Sequence, residues 1–390
     1  MLFSGTILVV HFLGKEALIL PMQEKQTPKT EQKLTVSPFD LFLMIVTVFE
    51  VLLLVIVLSR SFVSSAPPVE QPDNQETQTQ TPPEDEISVP SKPVFSQGVL
   101  PTRPEENANT VTLTTQIHSQ YAILIDAETG MIVAQKGADV AFSPASMTKV
   151  MTLIVACEQL TEADLTRKLA FTEQIYQYVT SGDYLGTETA LPLESNGYSC
   201  LGDTYTIKDL LYGIGVMSAA DCTYMIAREV AGSEEAFVAL MNRKAQELGL
   251  TDTHFNNAVG FDSEENVTSA KDMAMIMDYA MQSALIADIL RPRLNDLAID
   301  AHFVNDSGVE KTYSVQLKPS WKSRINRHPD FHLSKVTLDA VKTGFTDTSF
   351  IVCSATGKES NKRYIVVLGD AATIKDTMLD LEWLYNTYAQ

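Results

Sequence analysis

An apolar run of 18 residues divides the chain into two parts that must fold in different surroundings. Residues 41–58 read LFLMIVTVFEVLLLVIVL, in which only Thr47 and Glu50 are not apolar. One acidic side chain near the centre of a membrane helix costs roughly 2.5–3.5 kcal/mol, which is less than the combined gain of so many apolar residues. We therefore predict a transmembrane anchor over residues 38–60, with a cleavable signal peptide as the alternative.

Charged residues on either side of this run predict its orientation. Lys25, Lys29 and Lys33 precede the run, and only Arg60 follows it closely. Because positively charged flanks favour the cytoplasmic side, residues 1–37 should be a cytoplasmic segment. The sequence thus predicts a single-pass protein of the cell membrane whose larger part is extracytoplasmic.

A proline-rich segment follows the predicted anchor. Residues 66–110 contain nine of the 17 prolines, eight acidic residues and a single aromatic residue, Phe95. A segment of this composition buries too little apolar surface to fold. We expect a disordered linker over residues 61–112 that holds a globular domain, residues 113–390, away from the membrane.

Charge and composition exclude several kinds of function. Asp plus Glu number 49 and Lys plus Arg number 29, so the formal net charge is −20 at pH 7. A chain of this sign repels phosphate backbones, and no nucleic-acid partner is expected. The four cysteines lack any C-x-x-C spacing, and the six histidines are scattered apart from His328 and His332. These spacings exclude a zinc ribbon and make a metal site at the histidines a poor hypothesis.

Apolar patterns in the globular part predict an α/β (α+β) domain. Two short apolar runs flank Ala-Glu-Thr-Gly and predict a β-hairpin, and further strand-like runs occur near the C-terminus, with helix-like segments between. Strands at both ends indicate one sheet that joins the N- and C-terminal parts of the domain. The strand-like runs are Tyr121–Asp126, Met131–Gln135, Ser349–Thr356 and Arg363–Leu368, and the helix-like segments are 207–230, 234–248, 270–289 and 374–388.

A serine followed by a lysine three residues later is a candidate nucleophile. Ser143 and Pro144 are typical of a helix N-cap and first helical position, and the segment SMTKVMTLIVACEQL that follows is typical of a helix. Ser146 and Lys149 would then share one face, with the ammonium group within reach of the hydroxyl. A lysine in such a place can act as a general base if burial and a second cation lower its pKa. Taken alone, this motif also fits an ordinary amphipathic helix with a surface lysine.

Two further segments offer matching polar groups. Lys342, Thr343 and Gly344 form the single K-T-G of the chain, at the apparent start of a strand. A glycine there lets a ligand approach the backbone, and the next N–H group, that of Phe345, can donate to an oxyanion. Ser218 follows a helix-like segment and supplies a third polar side chain.

These three elements resemble the S-x-x-K, S-D-N and K-T-G signature of penicillin-binding proteins and class A β-lactamases. Four blocks of the sequence are similar to those of low-molecular-mass serine D-alanyl-D-alanine carboxypeptidases. They are FSPASMTKVMT, MSAADCTYMIAREVAGSEEAFVALMNRKAQELGLTDTHFNNAVGFD, SAKDMA and LDAVKTGFT. The resemblance covers residues 113–388. It implies a DD-peptidase/β-lactamase-like fold, with a central, mainly antiparallel sheet flanked by helices and with a helical subdomain.

The resemblance also implies catalytic roles. Ser146 would attack the carbonyl between the two terminal D-alanines of a peptidoglycan pentapeptide stem and become acylated, while Lys149 takes its proton. Ser218 would relay a proton towards the leaving D-alanine. β-Lactams would acylate Ser146 because they mimic the terminal dipeptide. The family uses neither a metal nor a cofactor.

Substrate binding is implied for the K-T-G segment. Lys342 would supply positive charge near the substrate carboxylate, and Thr343 would hydrogen-bond that carboxylate. The backbone N–H groups of Ser146 and Phe345 would form the oxyanion hole, and Gly344 leaves room for close approach of the substrate.

Two features depart from the family pattern. Ala220 stands where the middle motif has an asparagine, whose lost hydrogen bond would cost about 1–3 kcal/mol; Asp221 is expected to support the turn and not to replace the amide. The segment Leu368–Ala372 lacks the arginine with which many relatives grip the substrate carboxylate. Two alternatives therefore stay open: a catalytically weakened relative that binds muropeptides or partners, and another serine acyl-transfer enzyme of this fold, such as a DD-endopeptidase, a β-lactamase or an esterase.

Overall fold

The computed structural model describes residues 92–180, 189–192, 194–195, 198–305 and 307–390. The predicted cytoplasmic segment, the predicted anchor and the first part of the predicted linker lie outside these residues. Within the described ranges, no helix combines the length and the apolar character that a membrane crossing requires.

Of the twelve described strands, the six of the main sheet lie near the two ends of the described chain, as the sequence predicts, and the other six lie between residues 168 and 317. In chain order the twelve strands are β1 Val111–Thr112, β2 Tyr121–Asp126, β3 Met131–Lys136, β4 Lys168–Ala170, β5 Glu194–Ser195, β6 Tyr198–Ser199, β7 Thr204–Thr206, β8 Leu297–Val304, β9 Glu310–Leu317, β10 Val336–Phe345, β11 Ser349–Gly357 and β12 Arg363–Ala371.

Helices fill most of the middle of the domain, and one more follows the last strand. They are α1 Lys149–Gln159, α2 Glu173–Thr180, α3 Ile207–Tyr212, α4 Ala220–Ala231, α5 Glu234–Glu247, α6 Ala270–Ala280, α7 Ala284–Ile289, α8 Ser320–Arg327 and α9 Ile374–Tyr388. A π-helical segment, Gly213–Met217, continues α3, and 3₁₀ turns occupy Ala145–Thr148 and Asp164–Thr166.

The main sheet has six strands in the order β1-β3-β2-β12-β11-β10. Its pairs are antiparallel except for β1 and β3, which run parallel. The C-terminal strand β12 pairs directly with β2, for example Tyr364 with Asp126. The predictions of an N-terminal hairpin, of a mainly antiparallel sheet and of a sheet that joins both ends of the domain are confirmed.

Both faces of this sheet are buried, because apolar side chains of each central strand alternate between two cores. In β12, Ile365 and Val367 join a core that α1 and α6 complete. Tyr364, Val366 and Leu368 join a second core, which α9 covers on the opposite face. Each fully buried aliphatic side chain of this kind contributes roughly 1.5–3 kcal/mol of transfer free energy. The sheet is therefore the rigid centre from which the site is positioned.

A second, smaller unit of structure lies in the middle of the sequence. Strands β4, β7, β8 and β9 form a four-stranded antiparallel sheet in that order, and α1, α4 and α5 pack against one another. Described residues thus form a mixed α/β fold with antiparallel sheets and helices, which confirms the predicted fold class.

Residues 92–112, called the strap below, lie against the domain, so the linker prediction is wrong for this segment. The N–H groups of Val94 and Phe95 donate to the carbonyl oxygens of Leu160 and Cys157, at 2.7 and 2.9 Å. The ring of Phe95 is 5% exposed, and its centroid lies 5.2 Å from that of Tyr279. The single aromatic residue of this proline-rich segment therefore attaches it to the core of the domain.

Two further contacts hold the strap along its length. The guanidinium of Arg103 forms ion pairs with Asp252, at 3.3 Å, and with the buried Asp272, at 3.1 Å. Strand β1 then adds to the sheet edge beside β3. The folded domain therefore includes the strap and does not begin at residue 113.

Candidate active site

Ser146 lies in the 3₁₀ turn Ala145–Thr148, which leads directly into α1. The predicted capping by Ser143 is wrong: Pro144 occupies the cap position of the turn, and the Oγ atom of Ser143 is buried without a hydrogen bond to any described residue. Ala145 has a φ of 47°, in the left-handed region that costs a non-glycine residue about 1–3 kcal/mol. Backbone strain is therefore located immediately before the candidate nucleophile.

Gly260 packs directly against this turn, at Ala145. Its φ is +75°, and a Cβ atom at this position would overlap the carbonyl oxygen of Ala145. The loop that contains Gly260 is fixed by Asn257, whose Oδ1 accepts the N–H groups of Gly260 and Phe261 at 2.7 and 2.9 Å. Sequence reasoning missed Asn257, although Asn-x-x-Gly is a typical turn sequence. A glycine is required here by both conformation and space.

Lys149 is the first residue of α1, and it is buried. Its Nζ atom donates to the Oγ atom of Ser146 at 3.1 Å and to the carbonyl oxygen of Val259 at 2.5 Å. The serine and the lysine are therefore within hydrogen-bond reach, as the spacing predicts. The Val259 carbonyl, which sequence reasoning missed, fixes the position of the ammonium group.

Ser218 lies at a break between two helices, where a continuous helix over residues 207–230 was predicted. The chain leaves the π-helical segment at Ser218, whose φ is 68°, and α4 begins at Ala220. Side chains at Gly213 and Gly215 would overlap Cys222 and Ile289, so the π-helical segment packs closely on its neighbours. Such segments often occur at functional sites.

Lys342 connects the sheet to Ser218. This buried lysine lies on β10, and its Nζ atom donates to the Oγ atom of Ser218 at 2.8 Å and to the carbonyl oxygen of Thr343 at 2.9 Å. The K-T-G segment occupies the last part of β10, Val336–Phe345, and not the start of a strand as predicted. The error arose because Val336–Val341 was not recognised as strand.

The rest of the segment faces the same space. Thr343 donates from Oγ1 to the Oγ atom of Ser320 at 2.9 Å. A Cβ atom at Gly344 would lie 3.2 Å from the Cβ atom of Ala145, so the strand passes close to the Ser146 turn. The side chain of Phe345 is 58% exposed and stands at the mouth of the site.

A cavity of about 480 Å³ brings these groups together. Six of the seven predicted site residues line it. The seventh, Lys342, does not line the cavity but donates a hydrogen bond to Ser218, which does. No asparagine, glutamine or arginine lines the cavity among the described residues. The lining residues are Ser146, Lys149, Ser218, Val259, Gly260, Phe261, Asp262, Ser320, Thr343, Gly344, Phe345, Thr346 and Asp347.

Ala220 and Asp221, at the departure from the motif, are both buried in the first turn of α4. The carboxylate of Asp221 accepts the N–H groups of Ala190, Leu191 and Cys222 at 3.0, 2.8 and 2.8 Å. Burial raises the pKa of Asp221, against the lowering effect of these backbone donors. Asp221 therefore joins two segments of backbone, the supporting role expected of it, and does not replace the missing amide.

Neither of the two basic residues near the last strand lines the cavity. Arg363 lies at the far end of β12 and forms an ion pair with Asp278, and Lys375 is exposed on α9. Sequence reasoning missed a third basic residue, Arg324 on α8, which is buried beneath β10 and β11. Within the described ranges, no group of three or more His, Cys, Asp or Glu side chains could hold a metal ion.

A serine with a lysine beside it, together with a second serine–lysine pair and K-T-G, is the arrangement typical of one class of protein, the serine acyl-transfer enzymes in which a lysine lies beside the nucleophile. A model of the D-alanyl-D-alanine carboxypeptidase family matches residues 106–373, more than half of the chain. The chain belongs to this family, and the predicted family membership is confirmed.

Curated relatives agree with this placement, and a solved structure shares the fold. The chain is 29% identical over 260 residues to D-alanyl-D-alanine carboxypeptidase DacF of Bacillus subtilis, covering 66% of this chain and 59% of that protein. It is 31% identical over 248 residues to DacC of Escherichia coli, covering 63% and 55%. The chain thus spans less than two thirds of the length of either relative. The crystal structure of the Streptomyces K15 DD-transpeptidase superposes with a TM-score of 0.57 at 21% identity, covering 70% of this chain and 98% of that one; this likeness shows the fold.

Proposed function

We propose that the protein hydrolyses the terminal D-Ala-D-Ala peptide bond of peptidoglycan stem peptides through an acyl-enzyme on Ser146, and that it binds penicillin. One observation carries this proposal: the contacts of Lys149 with Ser146 and of Lys342 with Ser218 meet at one cavity. Family membership and the names of the curated relatives support it.

Acylation begins with attack of the Ser146 Oγ atom on the carbonyl carbon of the penultimate D-alanine. Lys149, in its neutral form, accepts the serine proton across the 3.1 Å contact, while one of its own N–H groups donates to the Val259 carbonyl oxygen. The N–H groups of Ser146 and Phe345 donate to the oxyanion of the tetrahedral intermediate. Ser146 also precedes α1, where unpaired N–H groups and the helix dipole stabilise negative charge.

Collapse of the intermediate breaks the C–N bond and needs a proton on the leaving nitrogen. Ser218 supplies this proton from its hydroxyl and receives in exchange the proton that Lys149 took from Ser146, so Lys149 is neutral again. The ammonium group of Lys342, 2.8 Å from the Ser218 oxygen, stays charged and stabilises that oxygen during the transfer. Free D-alanine leaves. Water then attacks the ester carbonyl of the acyl-enzyme, with the same groups transferring protons, and releases the shortened peptide.

The substrate carboxylate binds at the K-T-G end of the cavity. Thr343 donates to it from its hydroxyl, and the buried Lys342 supplies positive charge nearby. In the structure this hydroxyl donates to Ser320; when substrate binds, it turns to the carboxylate, and Ser320 donates to the Thr343 oxygen instead. β-Lactams carry a carboxylate and a reactive carbonyl at a similar separation, which is why they should acylate Ser146.

The test uses the full chain in detergent or in its native membrane. The protein is incubated with a fluorescent penicillin, the adduct is located by mass spectrometry, and release of D-alanine from a pentapeptide is measured. We expect an adduct on Ser146 with release of D-alanine, and neither in Ser146→Ala. Labelling that persists in Ser146→Ala would show that the nucleophile is another residue.

A second candidate, a weakened relative that binds muropeptides, is favoured by the lack of an amide side chain among the described lining residues. It predicts an adduct on Ser146 without release of D-alanine. Hydrolysis of a cross-linked peptide dimer or of a chromogenic cephalosporin in the same assay would favour a DD-endopeptidase or a β-lactamase.

We further propose that residues 38–60 anchor the protein in the cell membrane, with residues 1–37 cytoplasmic and the catalytic domain extracytoplasmic. The apolar run 41–58 and the lysines that precede it support this proposal. Since the strap belongs to the domain, the linker is proposed to end before residue 92. Deleting residues 38–60 should move penicillin-labelled protein from the membrane fraction to the soluble fraction; an unchanged distribution would overturn the proposal.

A further inference from the structure

Arg324 lies on the buried side of α8, directly beneath the ends of β10 and β11. Its side chain is 3% exposed. Nη2 donates to the carbonyl oxygens of Gly344 and Phe350 at 2.7 and 3.1 Å, and Nη1 donates to the Oγ atom of Ser349 at 2.9 Å. One guanidinium therefore connects both strands of the hairpin that carries K-T-G.

The same helix contacts the K-T-G segment at two points. Ser320 accepts the hydroxyl proton of Thr343, and Arg324, four residues later on the same face, donates to the next carbonyl, that of Gly344. Helix α8 thus fixes both the side chain that faces the substrate carboxylate and the backbone that follows it.

The Gly344 carbonyl belongs to the peptide group whose N–H is that of Phe345. This peptide group is trans, since the described residues contain no cis bonds. In a planar trans peptide, the carbonyl oxygen and the N–H point in opposite directions. A donor that fixes the oxygen on one side therefore also fixes the direction of the N–H on the other side.

The charge on the guanidinium adds to this effect. Its three acceptors are neutral oxygens, and burial lowers the pKa of Arg324 to about 10, so the side chain is still cationic at neutral pH. A cationic donor on a carbonyl polarises the amide and makes its N–H a stronger donor, because hydrogen bonds in series reinforce one another at low local dielectric.

We propose that Arg324 is a positioning residue for acylation: it fixes the plane of the Gly344–Phe345 peptide group and strengthens the Phe345 N–H as a donor to the oxyanion. The inference rests on the proposed function, in which that N–H belongs to the oxyanion hole. Arg324 does not line the cavity and acts through the backbone.

The test compares four full-length proteins: wild type, Arg324→Met, Arg324→Lys and Lys322→Met. Lys322→Met is the matched control, because it removes a positive charge from the same helix at a residue paired with Asp296 outside the cavity. Stopped-flow labelling with penicillin separates the non-covalent dissociation constant from the acylation rate constant. Infrared difference spectra then give the carbonyl stretch of the acyl-enzyme, which rises in frequency when the oxyanion-hole donors weaken.

Loss of a whole oxyanion-hole donor reduces the rate by roughly 10²–10³-fold, so weakening one should reduce the acylation rate constant about tenfold in Arg324→Met. The dissociation constant should change little and the stretch should shift upwards. Arg324→Lys should lie between Arg324→Met and wild type, because an ammonium group cannot span three acceptors as a fork does. Lys322→Met should match wild type.

Three results distinguish an error in this inference from an error in the proposed function. Wild-type rate and frequency in folded Arg324→Met would overturn the inference while leaving the proposed function intact. If Arg324→Met does not fold, Arg324→Lys decides alone: a lower acylation rate with an upward shift supports the inference, and an unchanged rate and frequency overturn it. Absence of acylation in the folded wild-type protein would overturn the proposed function itself.

Discussion

The ammonium nitrogen of Lys342 lies 2.8 Å from the hydroxyl oxygen of Ser218, across 124 residues of sequence. Lys342 belongs to the edge strand of the six-stranded sheet, and Ser218 belongs to the break between α3 and α4. Neither part of the structure forms the site alone, because the proposed nucleophile, Ser146, lies on a third segment, the 3₁₀ turn before α1. Acylation of Ser146 therefore reports on correct packing of the helices against the sheet as well as on chemistry.

Ala220→Asn should raise turnover of a D-Ala-D-Ala peptide about tenfold, since one regained hydrogen bond to substrate corresponds to about that factor. Residue 220 is buried, so the larger side chain should also lower the free energy of unfolding by about 1–3 kcal/mol. Steady-state release of D-alanine and denaturant unfolding measure the two effects. Ala220→Leu, of similar size without an amide, should show only the loss of stability. Equal turnover in wild type and folded Ala220→Asn would mean that another group already holds the substrate amide.

Gly260→Ala should displace the Ser146 turn, because the added methyl group overlaps the carbonyl oxygen of Ala145. We expect a loss of several kcal/mol in the free energy of unfolding and a marked decrease in acylation rate. Gly249→Ala is the matched control: its φ of +69° is similar, but nothing lies within 4 Å of the added atom. Gly249→Ala should lower the free energy of unfolding by only about 1 kcal/mol. Similar losses in both variants would show that backbone conformation, and not crowding, dominates at Gly260.

Phe95→Ala in the full chain should lower the free energy of unfolding by roughly 3–5 kcal/mol, the usual cost of removing a buried phenylalanine. The reason is that Phe95 fixes the strap to α1 and Tyr279. Val99 lies four residues later and is 77% exposed. Val99→Ala should change the free energy of unfolding by less than about 0.5 kcal/mol. Denaturant unfolding that gave equal values for the two variants would restore the linker interpretation of residues 92–112.

His118 should make stability depend on pH. Its ring Nδ1 atom lies 2.8 Å from Asp380 on α9, and this hydrogen bond raises the pKa of His118 against the opposing effect of desolvation. Because the folded pKa is above the unfolded value of about 6.5, the contribution is fully present below that pH. It is lost as pH rises through the folded pKa. His118→Gln should therefore lower the melting temperature more at pH 5.5 than at pH 9.

An Asp380→Asn background is the control for this effect. Asp380 also accepts the backbone N–H groups of His118 and Ser119, so the substitution itself will lower stability at every pH. The added effect of His118→Gln in that background should not vary with pH. If it varies as much as in the wild-type background, the titrating partner of His118 is a group other than Asp380.

The site could be predicted from sequence where chemistry depends on local spacing. Ser146 and Lys149 are three residues apart, so a single helical turn determines their contact. The hairpin of β2 and β3 and the closing helix α9 were predictable for the same reason, because alternation and helical periodicity are local patterns. Ser218 and Lys342 were identified through a family resemblance, since no local pattern brings residues 124 positions apart together.

What could not be predicted depends on short or polar elements. Helix α8 reads SWKSRINR, with only Trp321 and Arg324 buried, and two residues do not form a recognisable apolar stripe. The break at Ser218 lies within a run that is apolar on both sides, so hydrophobic periodicity alone favours one continuous helix. Prolines and acidic residues dominate the composition of the strap, while its attachment depends on Phe95 and Arg103.

The strap also determines where mechanical load enters the domain. It meets the C-terminal end of α1 through Leu160, about 16 Å along the helix axis from the end that follows Ser146. It then runs to β1 at one edge of the main sheet, while β10 lies at the other edge, five strand spacings or about 24 Å away. Tension applied through the N-terminal segment would therefore be borne first by contacts remote from the nucleophile.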